Sequence, residues 1–256
     1  MRPTVTPPLL IRGIEFGGTS PLFCVPLVAS DIKSLLEQAE AAHKLAPDVV
    51  EWRADFFAGL TPETAADAMS QLRRVVNREL LIFTLRIKSE GGNNDMSQDD
   101  RLHCIQSVLR TGNVDLVDIE LSNGLEFIAT VKSAAKDQTR VILSFHDFAA
   151  TPTNEFLYSK LADMVDHGAD VAKIACMPQD PGDVLRLLEV TLRARKAFPS
   201  VPLCTMSMGG MGLLSRVAGF MYGSDMAFAV AREISAPGQI PLAEARGIAE
   251  SLLRYA

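Results

Sequence analysis

The sequence Asp170-Val171-Ala172-Lys173-Ile174-Ala175-Cys176 is a short apolar run that contains one lysine. A second apolar run, Val141-Ile142-Leu143-Ser144-Phe145-His146-Asp147, lies one helix-length upstream and ends in a histidine. Runs of this length and composition are typical of buried strands, and an amphipathic segment at 154–167 separates them. The two runs and the segment between them therefore predict parallel strands joined by a helix.

The same alternation of short apolar runs and amphipathic segments continues along the whole chain. The predicted strands are 22–28, 48–53, 80–87, 114–121, 141–146, 170–176, 201–206 and 226–230. The predicted helices are 31–46, 62–77, 98–111, 125–137, 154–167, 181–198, 213–222 and 242–255. Eight strand–helix units in a chain of 256 residues predict an α/β fold, a (β/α)₈ TIM barrel that forms a single domain over 1–256.

An open, doubly wound sheet is the structural alternative. A nucleotide-binding version of that fold is disfavoured, because no glycine-rich phosphate loop follows the first predicted strand. The segment 9–16 precedes the first barrel strand and is predicted to form a hairpin that turns near Arg12-Gly13. In a barrel this hairpin would cap the N-terminal mouth, the end that usually carries no chemistry.

Composition excludes several classes of partner. The net charge of −6 argues against nucleic-acid binding. The four cysteines are widely spaced and form no CxxC pair, so they suggest neither a zinc site nor a disulfide framework. The first residues do not resemble a signal peptide, and no apolar run reaches the length of a membrane span. We therefore expect a cytoplasmic protein with no membrane partner.

Lys173 has apolar neighbours on both sides, and two interpretations follow. If the side chain is buried, the loss of hydration lowers its pKa, and a neutral amine can attack a ketone to form a Schiff base. If the lysine lies at a strand end, its stem packs on the protein while its charge reaches water. The run alone does not decide between the two.

Polar side chains occur at or after the ends of six consecutive predicted strands. They are Glu51 and Arg53, Arg86 and Glu90, Asp118 and Glu120, His146, Lys173, and the Met206-Ser207-Met208 segment. Because catalytic groups of a barrel gather at the C-terminal ends of its strands, these side chains are predicted to share one mouth. After the last strand, Ser235 and Gln239 flank a proline–glycine turn that either binds a polar ligand or simply connects to the last helix.

The chain resembles the type I 3-dehydroquinate dehydratase (3-dehydroquinase) family of the shikimate pathway over nearly its whole length. The motifs that carry the resemblance are Glu51-Trp52-Arg53-Ala54-Asp55, Phe83-Thr84-Leu85-Arg86, Asp118-Ile119-Glu120-Leu121, Ser144-Phe145-His146-Asp147-Phe148, Ala172-Lys173-Ile174, Met206-Ser207-Met208-Gly209, Ser215-Arg216 and Ser235-Ala236-Pro237-Gly238-Gln239. The resemblance implies a barrel that removes water from 3-dehydroquinate to give 3-dehydroshikimate.

The resemblance also implies a role for each site residue. Lys173 would form the imine, His146 would move the proton, and Glu90 would orient His146. Arg216, Ser235 and Gln239 would bind the substrate at its carboxylate end, and Glu51, Arg53 and Arg86 would line the pocket around its hydroxyls. The chemistry needs no metal and no organic cofactor, and family members suggest a homodimer.

The sequence departs from the family pattern at two places, and it leaves several questions open. Phe145 stands where many members have tyrosine, and Met226-Ala227-Phe228 replaces a more polar segment, but neither falls on a residue with an implied role. A class I aldolase, which also uses a barrel lysine, is the enzymatic alternative. A catalytically dead barrel kept as a binding module is the alternative outside enzymes. The sequence does not say whether the role is biosynthetic or quinate-catabolic.

Overall fold

Among the residues that the structure describes, eight parallel strands form a nearly closed barrel surrounded by eight α-helices, and the predicted fold is thereby confirmed. The structure is a computed structural model that describes residues 2–136, 138–231 and 240–255. The strands are β1 (Leu9–Ile11), β2 (Ile14–Phe16), β3 (Leu22–Leu27), β4 (Val49–Arg53), β5 (Leu80–Thr84), β6 (Leu116–Glu120), β7 (Arg140–Asp147), β8 (Val171–Cys176), β9 (Leu203–Ser207) and β10 (Met226–Phe228). The barrel strands pair in the order β10-β3-β4-β5-β6-β7-β8-β9.

The helices alternate with the barrel strands, as the amphipathic segments predict. They are α1 (Ile32–Lys44), α2 (Pro62–Val75), α3 (Gln98–Arg110), α4 (Leu125–Ala135), α5 (Asn154–Asp166), α6 (Pro181–Ala197), α7 (Leu213–Ala218) and α8 (Leu242–Tyr255). Several begin at a side chain that caps their free N–H groups: Thr61 accepts from Thr64 N before α2, and Asp180 accepts from Asp183 N before α6. Among the described residues, no helix is long and apolar enough to cross a membrane.

Several predicted boundaries were wrong by a few residues. The predicted strand at 80–87 ends at Thr84, and the chain then turns into a 3₁₀ helix at Lys88–Glu90. The predicted helix at 213–222 ends as an α-helix at Ala218 and continues as a 3₁₀ helix over Gly219–Tyr222. Apolar periodicity does not distinguish a strand from the extended chain that follows it, so these ends could not be located from pattern.

The predicted hairpin is present, and it closes the N-terminal end of the barrel. β1 and β2 pair antiparallel, and the two turn residues Arg12 and Gly13 have φ angles of 48° and 82°. Positive φ at both positions matches the tight turns that suit the twist of a hairpin. Ile11 and Phe16 are buried against the inner cluster that fills the lower barrel, so the hairpin seals this mouth from water.

Alternate strands supply the barrel interior in layers of four side chains. One layer consists of Val49, Leu116, Val171 and Met226, all buried in the inner cluster. Two residues further along the same four strands lie Glu51, Asp118, Lys173 and Phe228, which we call the Lys173 layer. Because side chains alternate along a strand, a residue two positions on points the same way and lies nearer the C-terminal mouth. The barrel interior therefore changes from an apolar layer to a mainly charged layer between these two neighbouring layers.

Candidate active site

A cavity of about 220 Å³ opens at the C-terminal ends of the strands. Seven of the residues predicted for the site line it: Glu51, Arg53, Arg86, Glu90, His146, Lys173 and Arg216. Apolar side chains, including Met206, Met208 and Phe228, also line it. The structure thus brings these predicted residues to one mouth. Ser235 and Gln239 lie outside the described residues.

Lys173 lies at the base of this cavity, enclosed by the other members of its layer. Its Nζ donates to Asp118 Oδ2 at 2.7 Å and is 3.6 Å from Glu51 Oε1. It also lies 4.8 Å from the centre of the Phe228 ring, within the range of a cation–π contact. Lys173 is 4% exposed, so the interpretation as a strand-end lysine that reaches water is wrong.

The expected depression of the Lys173 pKa is also wrong. Burial acts to lower the pKa of Lys173, but the carboxylates of Asp118 and Glu51 outweigh burial and raise the pKa above its ordinary value. Sequence showed the apolar neighbours along β8 but not the two carboxylates that β4 and β6 bring across the barrel. The two carboxylates therefore favour the ammonium form of Lys173.

His146 lies on β7 and contacts Glu90 twice. Its backbone N–H donates to Glu90 Oε2 at 2.9 Å, and its ring Nδ1 is 3.1 Å from the same oxygen. Ser122 Oγ donates to the other Glu90 oxygen at 2.7 Å. Glu90 is thus fixed by three contacts and in turn fixes the imidazole ring.

The protonation states of this pair differ from those of exposed groups. Burial lowers the pKa of His146 well below its ordinary value, and the positive charges of Arg86 and Lys173 act in the same direction. Burial also raises the pKa of Glu90 to about 7, despite its hydrogen bonds to Ser122 and His146. A neutral imidazole at neutral pH is able to accept a proton, which is what a general base requires.

Arg86 connects the charged groups of the mouth. It is 2.9 Å from Asp118 Oδ2, and its Nη1 donates to Glu120 at 2.8 Å and to Ser144 Oγ at 2.7 Å. Ser144 donates in turn to Asp118 Oδ1 at 2.6 Å. Each buried charge in this network has an opposite charge beside it, as the cost of burying charge requires.

The other two arginines of the cavity differ in how far they are already engaged. Arg53 donates twice to Asp55, at 2.8 Å each, and once to the carbonyl of Gly91 at 3.2 Å. Arg216 lies on α7, and its buried Nε has no hydrogen-bond partner among the described residues. Arg216 is therefore the arginine best able to take a new anionic partner.

Two contacts of Lys173 were not assigned from sequence. Asp118 was recognised as a polar strand residue but was given no role. One sequence signal did relate it to Lys173: Asp118 lies three residues after Asp115, just as Lys173 lies three residues after Asp170. Phe228 belongs to a segment judged to lack a role, yet its ring faces Lys173. Phe145, the other departure, points outward and packs on Phe156 of α5, with ring centres 5.7 Å apart.

Lys88, the lysine nearest to the site in sequence, is placed differently from Lys173. Its side chain is 67% exposed, and its Nζ is 2.8 Å from an oxygen of Asp95. Over residues 2–136, 138–231 and 240–255, no group of three or more His, Cys, Asp or Glu side chains is arranged to hold a metal ion.

Comparisons with known proteins agree on one family. The profile described as type I 3-dehydroquinase matches residues 23–254. The 3-dehydroquinate dehydratase of Aromatoleum aromaticum is 41% identical over 254 residues, which is 98% of this chain and 97% of that protein.

Solved structures give the same result. The crystal structure of 3-dehydroquinate dehydratase from Geobacillus kaustophilus superposes with a TM-score of 0.93 and 35% identity, covering 100% of both chains. The type I 3-dehydroquinate dehydratase of Clostridium difficile, solved with covalent modified comenic acid, gives a TM-score of 0.94 and 36% identity, over 97% of this chain and 99% of that one.

Proposed function

The chain belongs to the type I 3-dehydroquinases, enzymes of the hydro-lyase class, and we propose that it dehydrates 3-dehydroquinate through an imine on Lys173. One observation carries the mechanism: Lys173, which is 4% exposed, and His146, whose side chain is 8% exposed, line a single cavity of about 220 Å³. That volume suits a small substrate, and the surrounding positive charges suit an anion. The Clostridium difficile relative, solved with covalent modified comenic acid, supports a mechanism that includes a covalent step.

The covalent step needs only the lysine, the ketone of the substrate and water. The ammonium of Lys173 first releases a proton to water, and the neutral Nζ then attacks the ketone carbon. The carbonyl oxygen takes up that proton and a second one from the nitrogen and leaves as water, which gives a protonated imine. The positive imine withdraws electrons from the neighbouring carbon, so the hydrogen on that carbon becomes acidic enough for His146 to remove.

His146 then completes the elimination. The electron pair freed from the C–H bond expels the hydroxyl one carbon further along, and His146 returns its proton so that the hydroxyl departs as water. A second water hydrolyses the imine and releases Lys173 and the conjugated product. Because Nδ1 is engaged by Glu90, Nε2 is the nitrogen that we assign to this proton transfer.

Substrate binding is divided among the remaining groups. The Arg216 Nε has no hydrogen-bond partner among the described residues, which supports Arg216 as the partner of the substrate carboxylate, and a guanidinium suits that shape. Ser235 and Gln239 are proposed, as the family resemblance implies, to bind the same end of the substrate. Glu51 and Arg53 are proposed to contact the hydroxyls, whereas the three contacts of Arg86 support a role mainly in holding Asp118.

A trapping experiment tests the mechanism. Borohydride reduction in the presence of 3-dehydroquinate should add one substrate-sized mass, and peptide mapping should find it on Lys173. Lys173→Ala should abolish the label and the ultraviolet signal of the conjugated product, whereas Lys88→Ala should leave both intact. A label on Lys88, or turnover by Lys173→Ala, would exclude this mechanism. Carbon–carbon cleavage in place of dehydration would favour the aldolase alternative.

Removing the histidine separates covalent chemistry from proton transfer. His146→Ala should still form the imine but lose turnover by about 10²–10⁴-fold, the usual contribution of a general acid–base group. Trapping and steady-state rates measured on the same sample give both quantities. Turnover close to wild-type would remove His146 from the mechanism.

Two further proposals rest on resemblance and composition. We propose a homodimer, which light scattering would measure directly. We propose a cytoplasmic location, which agrees with four buried cysteines that are all free thiols. Cell fractionation with an antibody against the chain tests the location.

A further inference from the structure

Asp118 is the charged group nearest to Lys173, and two other side chains hold it in place. We propose that Asp118, oriented by Ser144, is a positioning residue that keeps the Lys173 nitrogen cationic and directed at the cavity both before and after imine formation. This role rests on the proposed function, but it concerns the state of the lysine and not the identity of the substrate.

The hydrogen bonds fix the rotation of the Asp118 carboxylate. One oxygen is 2.7 Å from Lys173 Nζ and 2.9 Å from Arg86. The other accepts from Ser144 Oγ at 2.6 Å, and Ser144 accepts from Arg86 Nη1 at 2.7 Å. With both oxygens engaged in a fully buried setting, the carboxylate has one favourable orientation, which directs Oδ2 at the lysine.

Other groups face Lys173 from neighbouring strands, but none is so closely coupled to it. Glu51 of β4 is 3.6 Å away. The remaining titratable and charged groups around the lysine are Cys24 of β3, Arg86 after β5, His146 of β7 and Cys204 of β9. After burial, Asp118 has the largest effect on the pKa of Lys173, and it raises that pKa.

Asp118 is also a poor proton acceptor. Burial acts to raise the pKa of Asp118, but Arg86 and Lys173 outweigh burial and hold the pKa far below its usual range. The carboxylate therefore stays an anion throughout the reaction. Its effect on Lys173 is that of a fixed negative charge and not that of a base.

Charge balance explains why a fixed anion suits this chemistry. An ammonium ion and a ketone give a protonated imine and water. The nitrogen loses two protons on the way, one before it attacks and one before the hydroxyl departs, and both end in the water that leaves. The nitrogen therefore carries one positive charge at the start and one at the end, in the same place. Asp118 and the Phe228 ring can stabilise both species without rearrangement.

The test compares Asp118→Asn with Asp170→Asn, a matched control. Asp170 lies immediately before β8, three residues ahead of Lys173, and its carboxylate faces Arg140 at the other end of the barrel. The fraction of Lys173 present as free amine is measured without substrate. Acetic anhydride acetylates the free amine, and peptide mass spectrometry measures the extent of Lys173 acetylation at each pH. Asp118→Asn should move the midpoint down by about one pH unit or more, and Asp170→Asn should not move it.

Imine trapping with 3-dehydroquinate supplies the second measurement. In Asp118→Asn, trapping should extend to lower pH while turnover falls about tenfold or more, because the cationic imine has lost its counter-ion. Ser144→Ala keeps the charge but frees the carboxylate, so it should shift both profiles in the same direction by less. Asp118→Glu, which restores the charge, should return the acetylation midpoint towards wild-type.

The outcomes separate this inference from the proposed function. An acetylation midpoint in Asp118→Asn equal to wild-type would overturn the role of Asp118. If Asp118→Asn does not fold, an unshifted midpoint in Ser144→Ala overturns it instead. Failure of the wild-type protein to trap any imine would reject the proposed mechanism, while the acetylation measurement would still decide the charge-setting role.

Discussion

At the scale of single residues, the neighbouring charges shift the pKa values of Lys173 and His146 in opposite directions, although burial disfavours the charged form of both. Lys173 and His146 are both enclosed, and burial disfavours the charged form of each. Lys173 faces two carboxylates, so its pKa rises, whereas His146 faces Arg86 and Lys173, so its pKa falls further. Within one cavity, the charges therefore favour the ammonium form of Lys173 and the neutral form of His146, and a neutral imidazole is able to accept a proton.

Glu90 gives a prediction about stability and pH. Burial raises its pKa in the folded state to about 7, from an ordinary value of 4.5. The folded protein therefore binds this proton more tightly than the unfolded chain. The stabilisation is fully present below pH 4.5 and is lost as the pH rises to 7. Glu90→Gln has no such proton, so its free energy of unfolding does not fall in this way. As the pH rises from 4.5 to 7, the free energy of unfolding of Glu90→Gln minus that of wild-type should therefore increase by up to about 3 kcal/mol.

Urea unfolding at several pH values measures this difference. Because His146 contacts Glu90 and its pKa is lowered, the same comparison in a His146→Ala background removes the opposite contribution of His146. Glu250→Gln, an exposed substitution on α8, serves as the control and should follow wild-type at every pH. A constant offset between Glu90→Gln and wild-type from pH 4.5 to 7 would mean that Glu90 titrates as an ordinary exposed carboxyl.

At the scale of elements, short turns after the strands bring distant groups together. Glu90 lies in the 3₁₀ helix that follows β5, yet it contacts His146 of β7, two strands away. Gly91 ends this 3₁₀ helix with a φ of 83°. Its carbonyl accepts from Arg53, and the Phe148 ring occupies the space that a Cβ at this position would need.

Gly91→Ala should therefore damage the site as well as the backbone. Alanine at positive φ costs about 1 kcal/mol, and the new Cβ would lie 2.3 Å from the Phe148 ring. The ring or the turn must move, and movement of the turn displaces Glu90. Gly59→Ala is the control, since Gly59 has a φ of 63° and nothing within 4 Å of the added carbon. Both variants should lose the stability that positive φ costs, Gly91→Ala should lose more because of the contact with Phe148, and only Gly91→Ala should lower kcat.

Sequence could predict the strand residues of the site better than the groups between elements. The alternation of side chains along apolar strands was enough to place Lys173, Glu51 and Arg53 at one mouth. It could not show that Asp118 lies across the barrel from Lys173, because that contact depends on strand order and register. For the same reason the sequence predicts a lowered pKa for Lys173, whereas the carboxylates across the barrel raise it. The Glu90–His146 contact was expected only from the family resemblance.

At the scale of the whole molecule, a repeated aspartate ties the strands together in pairs. Asp48, Asp115, Asp170 and Asp225 each lie just before an alternate strand of the barrel. Each accepts a backbone N–H near the start of the preceding strand, from Phe23, Leu81, Val141 and Leu203 respectively. Each also pairs with arginine. The repeat sets a common register, so the position three residues later on each strand falls in the Lys173 layer.

Asp225 is the aspartate of this repeat that lies where the barrel closes, between β9 and β10. Leu203 N donates to its side chain at 2.8 Å, and its own N–H donates to Leu203 O. Its carboxylate is fully buried between Arg195 of α6 and Arg2 of the N-terminal segment. One carboxylate therefore joins the two ends of the sheet, a helix and the start of the chain.

Replacing this carboxylate should cost far more than the same change elsewhere in the repeat. Asp225→Asn keeps the hydrogen bond to Leu203 but leaves two buried arginines without a counter-charge, which should cost about 3 kcal/mol or more. Asp170→Asn disrupts a pair whose side chains are 34% and 27% exposed, so it should cost about 1 kcal/mol or less. Urea unfolding monitored by circular dichroism measures both. Equal losses would show that the four aspartates act only through their backbone hydrogen bonds, and that the charges around Asp225 do not hold the barrel closed.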